Sequence, residues 1–143
     1  MIRRVNIHED LTSQFPMDTT KYYFNSHGLL YQSKRGKQTA THEIATYYYN
    51  SSKNLDSIVT LEYLNTGMVF YKTKETFSQY DNAANPLKKL FLFKETFLRS
   101  LSRNNYMRYE MNKYDFENTL VDHEDRNWTI PHGSEGNILF DSH

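Results

Sequence analysis

Alternating apolar and polar positions in the first half of the chain predict β-strands there. The stretch "SIVTLEYLNTGMVFYKTKETF" has two β-prone arms around Asn65-Thr66-Gly67, a three-residue hairpin loop with glycine at the left-handed position. A second hairpin is predicted in "TTKYYFNSHGLLYQSK", with its turn at Asn25-Ser26-His27-Gly28. "THEIATYYYNSS" is interpreted as a further strand because of Ile44, Thr46 and its three tyrosines, with a short helix as the alternative. An antiparallel sheet of hairpins is therefore expected within residues 1–77.

The last third of the chain follows a helical period instead. In "NAANPLKKLFLFKETFLRSLSRNN", Asn85 can cap a helix and Pro86 occupies its first position. Its apolar residues recur at spacings of three and four, and "YMRYEMNKYDFENTLVD" shows a weaker pattern of the same kind. The predicted fold class is thus α+β: the sheet packed by C-terminal helices at about 86–121, followed by an acidic loop or tail. A partly closed barrel with a helix is the alternative.

Length and composition limit the class of protein. A chain of 143 residues suits a single domain, 1–143. The absence of cysteine excludes disulfides, thiolate metal sites and a catalytic thiol, and it is typical of a reducing compartment. No apolar run reaches the roughly 18 residues of a membrane span, and no secretory signal is recognised at the first residues. A cytoplasmic protein is expected.

The residue usage suggests a source. Tyrosine (12) and phenylalanine (9) are abundant, whereas glycine (5) and proline (3) are scarce. Asn, Lys, Tyr and Phe all have AT-rich codons, so we hypothesise a phage, virus or mobile element of an AT-rich host. A GC-rich gene would contradict this hypothesis.

The net charge of zero conceals an uneven distribution of charge. Residues 1–113 hold 16 basic and 10 acidic side chains, a net charge of +6, whereas residues 114–143 hold one basic and seven acidic side chains, a net charge of −6. This division predicts a basic body and an acidic end. Such asymmetry indicates the sign of a partner's charge and does not bear on the fold.

Catalytic motifs are weak in this sequence. No glycine-rich phosphate loop of either common type occurs. The order Asp122-His123, Gly136-Asn137 and His143 resembles that of histidine-metal-finger nucleases, which implies a general-base histidine and a metal-binding histidine. A metal-dependent nuclease using the His123/His132 region is therefore the third functional hypothesis. The leading expectation is a protein that is not an enzyme and has no cofactor or metal.

Two binding hypotheses remain. The first is a small accessory protein that docks on a host or viral macromolecule through a tyrosine-rich surface, because tyrosine gives large, rigid contact area. In "YYY" at 47–49 at least one ring must be exposed, since alternate side chains of a strand face opposite sides. The alternative is a single-stranded DNA- or RNA-binding protein with a basic, aromatic groove and an acidic C-terminal tail. The candidate binding residues shared by both hypotheses are Tyr22, Tyr31, Lys34, Arg35, Lys37, Tyr47, Tyr49, Phe70, Tyr71, Lys72 and Lys74.

The arrangement of these residues separates the two hypotheses. A nucleic-acid site places its lysines and aromatic rings on the same face, whereas a protein-docking site groups tyrosines with few lysines. The oligomeric state is not indicated by the sequence.

Overall fold

The computed structural model describes residues 2–6, 18–37, 40–85 and 94–127. These residues form eight strands and one short helix in a simple order. The elements are β1 (Ile2–Asn6), β2 (Thr19–Phe24), β3 (Leu30–Lys37), β4 (Ala40–Tyr49), β5 (Leu55–Tyr63), β6 (Val69–Tyr80), α1 (Lys94–Ser100), β7 (Tyr106–Asp115) and β8 (Leu120–Asn127).

The described strands pair in chain order into one antiparallel sheet, β1 to β8. The predicted α+β class with C-terminal helices packed on a sheet is therefore wrong, because the structure is mostly antiparallel sheet with one short helix. The predicted strand at 41–52 and the two predicted hairpins are confirmed as β4, β2–β3 and β5–β6.

Four hairpins of this sheet share one turn geometry. The turns begin at Asn25, Asn50, Leu64 and Asp115. In each, the first residue donates its N–H to the carbonyl four residues on, and its carbonyl accepts from the N–H three residues on. The fourth position has positive φ in every case, a type I turn followed by a left-handed residue. The residues at this position are Gly28, Lys53, Gly67 and Asn118.

Each hairpin also carries a β-bulge at the same distance from its turn. The extra, unpaired residue stands six positions after the first residue of the turn. These residues are Tyr31, Asp56, Phe70 and Val121, and all four are exposed. The sheet therefore contains a repeated structural unit that the sequence does not reveal as a repeat.

The two faces of the sheet differ in what covers them. The inner face carries Ala45, Tyr47, Ile58 and Phe77, which belong to the buried core. Phe97 and Leu98 of α1 pack against this core, and the Phe97 ring lies 5.7 Å from that of Tyr22 on β2. The outer face is the opposite one, on which Lys21, Lys34, Lys72 and Lys74 stand.

The segment that follows α1 is hydrogen-bonded to the turn between β4 and β5. Asn104 donates its backbone N–H to the Asn54 side chain at 2.7 Å, and Ser102 Oγ accepts from the Leu55 N–H at 2.8 Å. Arg103 N–H reaches the Lys53 carbonyl at 3.3 Å. These bonds satisfy backbone groups at the closed end of the core, where Leu55 and Ser102 are fully buried.

The helix predicted for residues 86–104 is present only in part. Residues 94–100 are helical, and Phe97, Leu98 and Leu101 contribute to the core as their spacing predicts. Positions 86–93 of this prediction lie outside the described residues. No helix within 18–37, 40–85 and 94–127 has the length and apolar character needed to cross a bilayer.

The second predicted helix and the first six residues of the predicted tail, 122–127, are strands instead. Residues 106–115 and 120–127 form β7 and β8, joined by a turn at Asp115–Thr119. Asp115 Oδ1 accepts from the backbone N–H groups of Glu117 and Thr119, both at 2.9 Å. These two hydrogen bonds stabilise a tight turn at the point where a helix would have to continue. The weak helical spacing of the apolar residues is therefore not followed by a helix here. Residues 128–143 lie outside the described part.

Candidate functional site

The outer face presents two neighbouring cross-strand rows that hold lysines and no carboxylate. Directly opposed residues share a face, so the pairing registers define each row. The first row runs Lys21, Lys34, Ile44, Leu61, Lys72 and Tyr114. The second runs Tyr23, Gln32, Thr46, Val59, Lys74, Asn112 and His123. Together they form a basic strip, defined here as these two rows, which crosses β2 to β8 over roughly 29 Å.

Aromatic rings stand within this strip beside the lysines. The Lys34 ammonium lies 5.6 Å from the centre of the Tyr23 ring, and the Tyr23 and Tyr31 rings are 6.3 Å apart. Tyr31 is exposed because it occupies a bulge. A cation and two flat, accessible rings are thus grouped at one end of the strip.

The lysines of the strip differ from the cations of the inner face in their ion pairs. Among the residues that the structure describes, Lys21, Lys34, Lys72 and Lys74 form no ion pair, although Arg35 and Lys113 on the inner face do. Lys72 and Lys74 are exposed. Carboxylates on this face begin beyond the strip, where Glu110 and Asp125 are bridged by Arg108.

The structure divides the eleven sequence-predicted site residues between different surroundings. Tyr31, Lys34, Lys72 and Lys74 lie together on or beside the strip. Lys37 is exposed at the end of β3, and Phe70 is exposed in the β6 bulge. The remaining five lie on the inner face and are Tyr22, Arg35, Tyr47, Tyr49 and Tyr71.

Tyr47 and Tyr49 are structural residues of the core. The Tyr47 hydroxyl hydrogen-bonds the Ser33 hydroxyl at 3.0 Å, and the Tyr49 hydroxyl donates to the Leu30 carbonyl at 2.8 Å. Burial raises the pKa of both phenols above the usual range. Tyr48 between them is half exposed, so the expectation that one ring of the triplet faces outward is confirmed.

Arg35 and Tyr71 also have partners on the inner face. The Arg35 guanidinium lies 3.2 Å from Glu43 and 3.7 Å from Asp18. The Lys113 ammonium stands 4.2 Å from the centre of the Tyr71 ring and forms an ion pair with Glu62 at 3.5 Å. Arg35 and Tyr71 therefore interact with inner-face side chains and do not belong to the basic strip on the outer face.

Three lysine or tyrosine residues of the strip were not among the predicted binding residues: Lys21, Tyr23 and Tyr114. The sequence pattern could have indicated two of these residues, Lys21 and Tyr23. Lys21 and Tyr23 alternate with Tyr22, and the turn at Asn25–Leu29 fixes the register that brings them opposite Lys34 and Gln32. Tyr114 was assigned to a helix, so its place beside Lys72 could not be inferred.

A second feature lies on the inner face, where a cleft of about 470 Å³ separates the sheet from α1. Glu75 lies in it, half buried, and its Oε2 accepts a 2.9 Å hydrogen bond from the Tyr109 hydroxyl. Burial raises the pKa of the Glu75 carboxyl, the Tyr109 bond opposes this, and the charges of Glu43 and Glu124 add to the rise.

The described residues form no metal site that would support the nuclease hypothesis. His123 is exposed on β8 with its Nδ1 2.7 Å from Asn112 Oδ1, and His132 lies outside the described part. Within residues 18–37, 40–85 and 94–127, no group of three His, Asp or Glu side chains is placed to hold a metal ion. The nuclease remains a prediction.

Comparison with known proteins provides no assignment. No protein-family model matches the chain, and no curated protein matches it.

Proposed function

We propose that the protein binds single-stranded nucleic acid on the basic strip of its outer face. The observation that carries this proposal is the position of Lys34 beside Tyr23 and Tyr31, with Lys72 and Lys74 farther along the same rows. Lysines and rings on one face are what distinguishes a nucleic-acid site from a tyrosine-rich docking site. Phosphates would contact the ammonium groups, and bases would stack on the exposed rings.

The like charges of the strip support an anionic partner. Lys21 and Lys34 are directly opposed, an arrangement that destabilises a sheet by itself. A phosphate between two such lysines would remove the repulsion. The strip is long enough for about four nucleotides, the lower end of the range for single-strand-binding folds.

The binding is expected to be electrostatic and independent of base sequence. The strip contains no carboxylate to read a base edge, and its Tyr23 and Tyr114 rings can stack on any base. Affinity therefore should fall with salt through release of counterions. A cytoplasmic location is part of this proposal, on the sequence evidence of a chain without cysteine.

Fluorescence anisotropy of labelled single- and double-stranded oligonucleotides, titrated with the full chain at several salt concentrations, tests the proposal. Lys34→Gln is expected to weaken single-strand binding and to lower the slope of log affinity against log salt by about 0.7. Lys53→Asn is the matched control, because it removes one positive charge from an exposed turn away from the strip. Binding that ignores salt, or that both variants weaken equally, would contradict the proposal.

A protein partner is the second candidate, and one observation favours it. The hairpin tips of β5–β6 and β7–β8 lie at the same end of the sheet, since Tyr71 pairs with Asp115. Both tips expose apolar side chains, namely Leu64, Met68, Val69, Phe70, Phe116, Leu120 and Val121. Several large apolar side chains exposed at one end of a sheet are typical of protein-binding sites. Host or viral macromolecules are the partner class proposed from the sequence.

Substitutions at the hairpin tips distinguish the two candidate functions, because they should affect protein binding and not oligonucleotide binding. Met68→Ser together with Phe116→Ser should leave oligonucleotide binding unchanged. The same substitutions should abolish capture of a stoichiometric protein partner from a host lysate, if this end of the sheet docks a protein. Retention of the partner by the doubly substituted chain would remove the second candidate.

A further inference from the structure

The cleft between the inner face and α1 has both apolar and acidic lining side chains. The apolar ones, called its floor here, include Ala45, Ile58, Leu98 and Tyr106. The acidic ones are Glu43, Glu75 and Glu124, with Arg126 as the one cation among the described lining residues. We propose that this cleft binds a small organic cation, an amine joined to a ring, with the amine at Glu75 and the ring on the apolar floor.

Glu75 is the group to which the amine would bind. Glu43 is already paired with Arg35 at 3.2 Å, and Glu124 is paired with Arg126. Within the described part of the chain, Glu75 forms no ion pair and has the Tyr109 hydroxyl as its hydrogen-bond partner. A carboxylate in such a half-buried place is stabilised by a cation, and an ammonium ligand would supply one.

The floor determines the rest of the ligand. A volume of about 470 Å³ is within the usual range for small-molecule sites, which are mostly apolar with a few convergent polar groups. Tyr106 is buried at the base of the cleft, where Arg99 lies 4.1 Å from its ring centre and the Phe77 ring lies 4.9 Å away. An apolar, flat body on the ligand suits this lining better than a hydrated metal ion or an anion does.

Protonation of Glu75 opposes the binding of a cation. The titratable and charged groups that line the cleft with it are Glu43 and Tyr47 on β4, Tyr106 and Tyr109 on β7, and Glu124 and Arg126 on β8; Phe97 and Leu98 of α1 carry no charge. Because burial raises the pKa of Glu75, its ionised form is lost at a higher pH than for an exposed glutamate. Amine affinity is therefore expected to fall as the pH drops through this raised pKa.

Isothermal titration calorimetry on the full chain tests the inference with defined probes: 2-phenylethylamine, benzylamine and tryptamine, against 2-phenylethanol and 3-phenylpropionate. At least one amine should bind, and the alcohol and the acid should not. Glu75→Gln should lower the amine affinity about tenfold or more and remove the pH dependence. Glu117→Gln is the control, because it removes one negative charge from an exposed turn far from the cleft.

The other outcomes overturn the inference. If no amine binds, or if the alcohol binds as tightly as the amine, the cleft does not recognise a cation. The same conclusion follows if Glu75→Gln and the native chain bind the amine equally. Glutamine can still accept the Tyr109 hydrogen bond, so the variant should fold, and thermal unfolding checks this directly. Oligonucleotide binding by Glu75→Gln separates this site from the basic strip, since it should not change.

Discussion

Lys21 and Lys34 stand directly opposite each other on neighbouring strands, with no carboxylate in their row. Like charges in this position destabilise an antiparallel pair, so Lys21→Gln should raise the free energy of unfolding by roughly 0.2–1 kcal/mol. The gain should shrink in high salt, where the repulsion is already screened. Urea unfolding at low and high salt measures it, and a loss of stability at low salt would contradict the expectation. The same variant should bind single-stranded oligonucleotides more weakly.

The side chain of Asp115 holds the turn between β7 and β8 through two hydrogen bonds to backbone N–H groups. Asp115→Ala removes both acceptors and is expected to cost about 1 kcal/mol of stability, since the turn is exposed. Asp115→Asn keeps the Oδ1 acceptor, as Asn25 and Asn50 do in the equivalent turns, and should cost much less. Equal loss in the two variants, measured by chemical denaturation, would show that the charge and not the hydrogen bonds matters.

Gly36 is required by close approach of the backbone at the bulge between β3 and β4. A Cβ at this position would collide with the Ala40 carbonyl and lie 2.8 Å from Thr41 Cα. Gly36→Ala should therefore cost about 1–3 kcal/mol of stability. Gly28 is the matched contrast, because open space surrounds it and its φ of 74° is one that asparagine tolerates. Thermal unfolding should show a clear loss for Gly36→Ala and a small one for Gly28→Asn.

Glu75 should make the stability of the protein depend on pH in an identifiable way. Burial raises the pKa of this carboxyl in the folded state, so the folded chain binds a proton that the unfolded chain has already released. Stability contributed by the protonated form is complete below the unfolded pKa and is lost as the pH rises through the folded value.

Glu75→Gln remains neutral throughout, so its stability relative to the native chain should rise over that pH window. Unfolding free energies of both chains across the acidic range provide the measurement. A constant difference between them would mean that Glu75 titrates alike in the folded and unfolded states.

Local turn chemistry explains which strands could be predicted from the sequence. Gly28 and Gly67 mark two of the four equivalent turns, and both hairpins were predicted. Lys53 and Asn118 occupy the same left-handed position in the other two, where the sequence lacks the glycine that signals it. The strand β4 was recognised, but the hairpins β4–β5 and β7–β8 were not.

The helical interpretation failed where tertiary pairing outweighs spacing. Met107 and Met111 are four residues apart, as a helix requires, yet Met111 pairs with Glu75 and Glu124 across two ladders. Spacing alone cannot report such non-local partners. The candidate site was predicted only in part for the same reason: Lys34, Lys72 and Lys74 were named, but the register that aligns them depends on β4 and β5 between them.

Agreement between strand order and chain order has a consequence for how this protein folds. Each described strand from β2 to β7 pairs with its two neighbours in sequence, so each tight hairpin can form from its own turn without waiting for a distant strand. The pairing of β6 with β7 is different, because the connection that contains α1 separates Tyr80 from its partner Tyr106. The hydrogen bonds between Asn54 and Asn104 join segments fifty residues apart in the chain, and they are expected to form last.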